Sequence, residues 1–64
     1  MMINGPVEQA LIGQDRGVVK VNGRVYLASR LIHEDMFEAW RHVKTGDYVE
    51  FDDESMRIRT YRRS

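Results

Sequence analysis

The alternation of apolar and polar positions along the chain predicts five short strands. Alternation of this kind places successive side chains on opposite faces of an extended segment. Runs rich in β-branched and aromatic residues, bounded by turn residues, give the ranges Val7–Gln14, Val18–Val21, Arg24–Ala28, Tyr48–Phe51 and Met56–Tyr61. Residues 1–6, which end at Pro6, are predicted to form a flexible lead-in to a single domain of residues 7–64.

A two-residue turn is predicted between the second and third strands. The dipeptide Asn22-Gly23 stands there, directly between two strand-like runs. Asn and Gly both accept the positive φ angles that a type I′ turn requires. The sequence therefore predicts a β-hairpin with a fixed register.

One segment has helical rather than strand spacing. Its apolar residues recur at intervals of four, four and three, at Ile32, Met36, Trp40 and Val43. This spacing predicts a helix over His33–Val43 that buries Trp40 against the sheet. Phe37 lies off the predicted apolar face, so an exposed position that anchors a protein partner is an alternative for this residue.

The order of these elements predicts the fold class. Three strands, one short helix and two further strands are the connectivity of the five-stranded Greek-key barrel of the oligonucleotide-binding type. The predicted fold is therefore all-β, with the single helix between strands 3 and 4. The chain has 64 residues and no cysteine, so the apolar core must stabilise it without disulfides or thiolate–zinc sites.

Charge is segregated along the chain although the net charge is zero. Residues 1–33 carry four basic and two acidic side chains. Residues 34–54 carry two basic and eight acidic side chains, and residues 55–64 carry four basic side chains and no acidic one. Such segregation favours one positive and one negative face. The absence of cysteine fits a cytoplasmic location, and neither a signal peptide nor a membrane-spanning run is expected.

Three segments resemble bacterial translation initiation factor one and related small RNA-binding barrels. They are 23–28 (GRVYLA), 45–51 (TGDYVEF) and 57–63 (RIRTYRR), which align with its third, fourth and fifth strands. The resemblance covers mainly residues 23–63. It implies a barrel that contacts RNA, used in that family on the ribosome, and so a role in bacterial or phage translation or RNA metabolism.

Cations and tyrosines are predicted on outward positions of adjacent strands. A surface that binds single strands needs cations for phosphates and flat rings on which bases stack. The predicted nucleic-acid-binding residues are Lys20, Arg24, Tyr26, Arg57, Arg59, Tyr61 and Arg62, with Arg63 extending the charge. The alternative for these residues is a solvated strand face whose charges prevent edge-to-edge aggregation.

The rival function is a small protein-interaction module or regulator. It would dock on a larger protein through its acidic helix region or an exposed sheet edge, in keeping with the zero net charge. The residues that would carry it are Phe37, Glu38, Asp52, Asp53 and Glu54.

Enzymatic activity and cofactors are not expected. The chain has no cysteine nucleophile, its serines stand outside any recognisable nucleophile turn, and no glycine-rich loop leads from a strand into a helix. His33 and His42 are nine residues apart, so a helix would project them to nearly opposite sides and they would not share a metal.

Overall fold

Five antiparallel strands and one short helix form the structure of residues 1–64, a computed structural model. The elements are β1 (Met2–Ile12), β2 (Arg16–Val21), β3 (Arg24–Ser29), α1 (Glu34–Trp40), β4 (Tyr48–Asp52) and β5 (Ile58–Arg62). The mostly β fold, with one helix after the third strand, is confirmed. The helix has seven residues, too few to span a lipid bilayer.

The strands lie in the order β3-β2-β1-β4-β5. The long strand β1 pairs with β4 through its first half and with β2 through its second half. Its pairing with β2 is irregular between Val7 and Gln9, where it changes partner. The end strands β3 and β5 do not pair with each other, so the sheet is not closed.

The predicted flexible lead-in is wrong, because residues 2–6 form the first half of β1. Met2 pairs with Asp52, and Pro6 pairs with Tyr48. Gly5 allows this arrangement, since a Cβ there would lie 2.8 Å from the side-chain oxygen of Asn22. The Asn22 amide in turn donates to the Asn4 carbonyl at 2.9 Å. The turn after β2 therefore holds the start of β1 in place.

The hairpin between β2 and β3 is confirmed. Val21 pairs with Arg24, and the two residues between them have φ angles of 55° at Asn22 and 77° at Gly23. Both angles are positive, as in a type I′ turn. The backbone N–H of Gly23 also donates to the Glu8 carboxylate at 3.0 Å, which ties the turn to β1.

Replacing Gly23 with valine should lower the free energy of unfolding by roughly 1–2 kcal/mol, the cost of a left-handed backbone for a side chain. A Cβ at this position meets no atom within 4 Å, so the cost arises from the backbone alone. Urea denaturation of Gly23→Val measures it. Gly23→Asn is the matched control, because Asn tolerates positive φ and should cost less. A valine variant as stable as the parent contradicts the turn assignment.

The core is a cluster of ten buried apolar residues between the sheet and the helix. They are Val7, Val19, Val21, Ala28, Phe37, Trp40, Val43, Val49, Phe51 and Met56. The ring of Trp40 lies edge-on to Phe51, with centroids 4.9 Å apart. Its Nε1–H donates to the Met56 carbonyl at 2.6 Å. The predicted burial of Trp40 is confirmed, and its polar atom is satisfied inside the core.

The apolar face of the helix differs from the predicted one. Phe37 is fully buried, whereas Ile32 is 72% exposed. The reason is the position of the helix start: α1 begins at Glu34, so Ile32 lies in the preceding turn. The buried face is then set by Phe37 and Trp40, three residues apart. The alternative in which Phe37 is an exposed anchor for a protein partner is therefore wrong.

Candidate nucleic-acid interface

A β-bulge in β5 decides which of its side chains face outward. Phe51 pairs with Ile58 and Glu50 with Thr60, so Arg59 has no partner residue on β4. An extra residue reverses the alternation of faces beyond it. Tyr61 then lies opposite Val49, which points into the core. The prediction that Arg59 and Tyr61 share an outward face is therefore wrong.

The hydroxyl group of Tyr61 is held by a buried carboxylate. It donates to Asp47 Oδ2 at 2.7 Å, and Asp47 is only 4% exposed. The same carboxylate accepts the backbone N–H groups of Lys44 and Ser64 at 2.9 and 3.1 Å. The hydrogen bond from Tyr61 is the main reason that the pKa of Asp47 is lowered, and it raises the pKa of Tyr61. Tyr61 therefore ties the end of β5 to the residue before β4 and is not a free platform for a base.

Tyr26 also faces inward. It pairs with the fully buried Val19 of β2, and its half-buried ring lies edge-on to Phe51 with centroids 5.2 Å apart. Side chains directly opposite each other in an antiparallel pair share a face. The predicted outward position of Tyr26 is therefore wrong.

An aromatic side chain that the sequence prediction left out takes the outward position instead. Tyr48 pairs with Arg62 across β4 and β5, and the Arg62 guanidinium lies 4.4 Å from the centre of the Tyr48 ring. The sequence carried a signal for this, because alternation places Tyr48 opposite to the buried Val49 and Phe51. The ring and guanidinium together form a cation–π pair on the outer face of the sheet.

The arginines along β5 are exposed and free of ion pairs. The acidic side chains that form ion pairs do so with Arg30, Arg41 or the amino group of Met1. We call the remaining cations of this strand and its flanks the β5 arginine row: Arg57, Arg59, Arg62 and Arg63. Four positive charges that form no ion pair within 4 Å make this edge attractive to an anionic ligand.

The other two predicted cations lie elsewhere. Lys20 is exposed on the outer face of β2, and Arg24 is exposed beside the hairpin turn, opposite Val21. Two strands, β1 and β4, stand between β2 and β5 in the sheet. The structure therefore brings together Arg57, Arg59 and Arg62 but not Lys20 and Arg24.

The acidic residues proposed for a protein partner are engaged locally. Glu38 binds Arg30 at 3.1 Å and Arg41 at 3.2 Å, and the hydrogen bond from Arg30 is the main cause of its lowered pKa. Asp52 accepts the backbone N–H and hydroxyl of Ser55. The backbone N–H of Ser55 first, then the hydrogen bond from the Met1 amino group and the Ser55 hydroxyl, lower the pKa of Asp52 to about 2. Asp53 is partly buried, and Glu54 is the one exposed acid among Asp52, Asp53 and Glu54.

The lowered pKa values of Asp47 and Asp52 predict acid sensitivity. A carboxyl group with a lower pKa in the folded state stabilises it above the unfolded-state pKa, and this stabilisation is lost as pH falls through the folded value. The urea midpoint should therefore be flat near about pH 6 and fall between about pH 4 and about pH 2. Asp47→Asn should show a smaller acid-induced fall than the parent. A midpoint independent of pH in this range contradicts the assigned hydrogen bonds.

No known protein family, curated protein or solved structure matches this chain. The resemblance to initiation factor one therefore stays a prediction that rests on segments 23–28, 45–51 and 57–63. No three His, Asp or Glu side chains lie close enough together to hold a metal ion.

Proposed function

We propose that this protein is a non-enzymatic, cytoplasmic barrel of the oligonucleotide-binding type that binds single-stranded nucleic acid along β5. The observation that carries the proposal is the exposed β5 arginine row beside the stacked Tyr48–Arg62 pair. The resemblance to initiation factor one favours RNA as the bound strand and translation or RNA metabolism in bacteria or phages as its setting.

The chemistry of the row suits a phosphate backbone. Guanidinium groups bind phosphate oxygens through two parallel hydrogen bonds and stay charged at all relevant pH values. At about 3.3 Å per residue, the row from Arg57 to Arg63 extends over roughly 20 Å. The Arg62 guanidinium, held over Tyr48, offers a flat face on which a base stacks.

The strand order supports the barrel. Strands β4, β1, β2 and β3 are spatial neighbours in that order, with α1 in the long connection that returns the chain to β1. This is the spatial order of a Greek key. The ring of Tyr26 on the end strand β3 contacts the ring of Phe51 on β4, the strand beside the other end, as in a barrel that is partly open.

Fluorescence anisotropy with labelled RNA and DNA single strands of about 12 nucleotides, within the usual site size of such barrels, tests the proposal. The parent protein should bind at low salt, and the logarithm of the affinity should fall linearly with the logarithm of salt concentration. Absence of binding at low salt, where phosphate contacts are strongest, would overturn the proposal.

A further inference from the structure

The outer face of β1, β2 and β3 carries exposed aliphatic side chains. Leu11, Val18 and Leu27 are direct neighbours across the three strands. Leu11 is 60% exposed and Leu27 54%, and Val25, two residues before Leu27 on the same face, is 65% exposed. We call these four residues the apolar stripe. A contiguous exposed apolar patch that reaches a sheet edge marks an interaction surface.

The stripe ends at a sheet edge with free main-chain groups. Val21 and Arg24 form the hydrogen-bonded pair that closes the two-residue turn. Because hydrogen-bonded and non-hydrogen-bonded pairs alternate along an antiparallel ladder, the pairs formed by Val25 and Leu27 are non-hydrogen-bonded. The N–H and C=O groups of Val25 and Leu27 therefore point away from β2. As an end strand, β3 has no neighbour on that side.

The free edge has a defined end. The N–H of Ser29 donates to His33 Nδ1 at 3.0 Å, and the N–H of His33 donates to the Ser29 carbonyl at 2.7 Å. His33 thus occupies the edge at Ser29, much as a partner strand would. The open part is residues 24–28, enough for about four main-chain hydrogen bonds at the alternation of an antiparallel ladder.

Charge on this face selects the class of partner. The outward side chains of the three strands here include the cations Arg16 and Lys20, and neither cation forms an ion pair. The one acid of these strands, Glu8, accepts the backbone N–H of Gly23 at the hairpin turn. A second copy of the chain would bring the same two cations to this face, so like charges would meet. A nucleic acid would find aliphatic side chains and no aromatic ring on which a base stacks. An extended peptide with apolar and acidic side chains complements both features.

We propose that the β3 edge binds an extended segment of a partner protein, which adds to the sheet as a sixth strand. Main-chain hydrogen bonds to Val25 and Leu27 hold the segment. Its apolar side chains continue the apolar stripe, and acidic side chains at its ends face Arg16 and Lys20. This binding uses none of the β5 arginine row, so it does not depend on nucleic-acid binding.

NMR titration of the isotope-labelled protein with the capped peptide Glu-Thr-Val-Thr-Val-Thr-Glu tests the proposal. The amide protons of Val25 and Leu27 should shift and exchange more slowly with solvent, because they enter hydrogen bonds. A peptide with Lys in place of both Glu residues is the matched control and should bind about tenfold more weakly, equivalent to about 1.4 kcal/mol.

The variant Val25→Lys places a charge on the free edge and should abolish the slower exchange at Leu27. Since Val25 is exposed, this variant should keep the dispersed spectrum of a folded protein. The proposal is overturned if neither peptide changes the two amides, or if both peptides bind equally. It is also overturned if these amides respond instead to the labelled oligonucleotide, or to protein concentration through self-association.

Discussion

Replacing Trp40 with alanine is expected to lower the free energy of unfolding by about 3–5 kcal/mol, the usual cost of truncating a buried aromatic side chain. Trp40 has no exposed surface, packs edge-on against Phe51 and satisfies its N–H on the Met56 carbonyl. The truncation leaves both a cavity and an unpaired carbonyl group. Urea denaturation followed by circular dichroism measures the loss.

The matched control is Ile32→Ala. The sequence places Ile32 on the same helical face as Trp40, but the structure leaves it 72% exposed. Its truncation should change the free energy of unfolding by about 0.5 kcal/mol or less. A Trp40→Ala variant as stable as the control contradicts the core described for this protein.

Phe37→Ala is expected to be comparably damaging, at about 3–5 kcal/mol. Phe37 is fully buried in the core cluster, and the Arg30 guanidinium lies 5.1 Å from the centre of its ring. A chain of this length has a total stability of about 3–10 kcal/mol, so the variant is expected to be close to unfolding. The circular dichroism of Phe37→Ala at low temperature, with and without urea, measures the effect.

Leu31→Ala is the control for this second prediction, since Leu31 is 91% exposed. Phe37→Leu, which keeps most of the buried volume, should recover much of the stability. If Phe37→Ala keeps the stability of the parent, Phe37 is a surface residue. That outcome would restore it as an anchor for a protein partner.

Local patterns predicted the elements that depend on neighbouring residues. The Asn22-Gly23 turn is fixed by the φ preferences of its two residues, and the strands follow from alternation. The burial of Trp40 was predicted correctly because Trp40 lies on the buried face of the helix whether the helix begins at His33, as predicted, or at Glu34, as observed. These features need no knowledge of the rest of the chain.

The errors arise where distant residues decide the structure. Residues 2–6 become a strand because Gly5 lets β1 approach Asn22 closely, and nothing near Gly5 in the sequence indicates that contact. The bulge at Arg59 is set by pairing with β4, and one extra residue moved Tyr61 to the inner face. The candidate interface therefore kept the predicted arginines of the β5 side, lost Lys20 and Arg24 to the other side of the sheet, and has Tyr48 in place of the two predicted tyrosines.

The difference in salt dependence between two charge-removed variants tests the central claim most directly. In the first, Arg59→Gln is combined with Arg62→Gln on β5; in the second, Lys20→Gln is combined with Arg24→Gln. Each lost phosphate contact lowers the slope of log affinity against log salt by about 0.7 for single strands. Anisotropy with the labelled oligonucleotide should therefore show a slope reduced by about 1.4 in the first variant and unchanged in the second. Equal slopes in the parent and the first variant, or equal reductions in both variants, would contradict binding along β5.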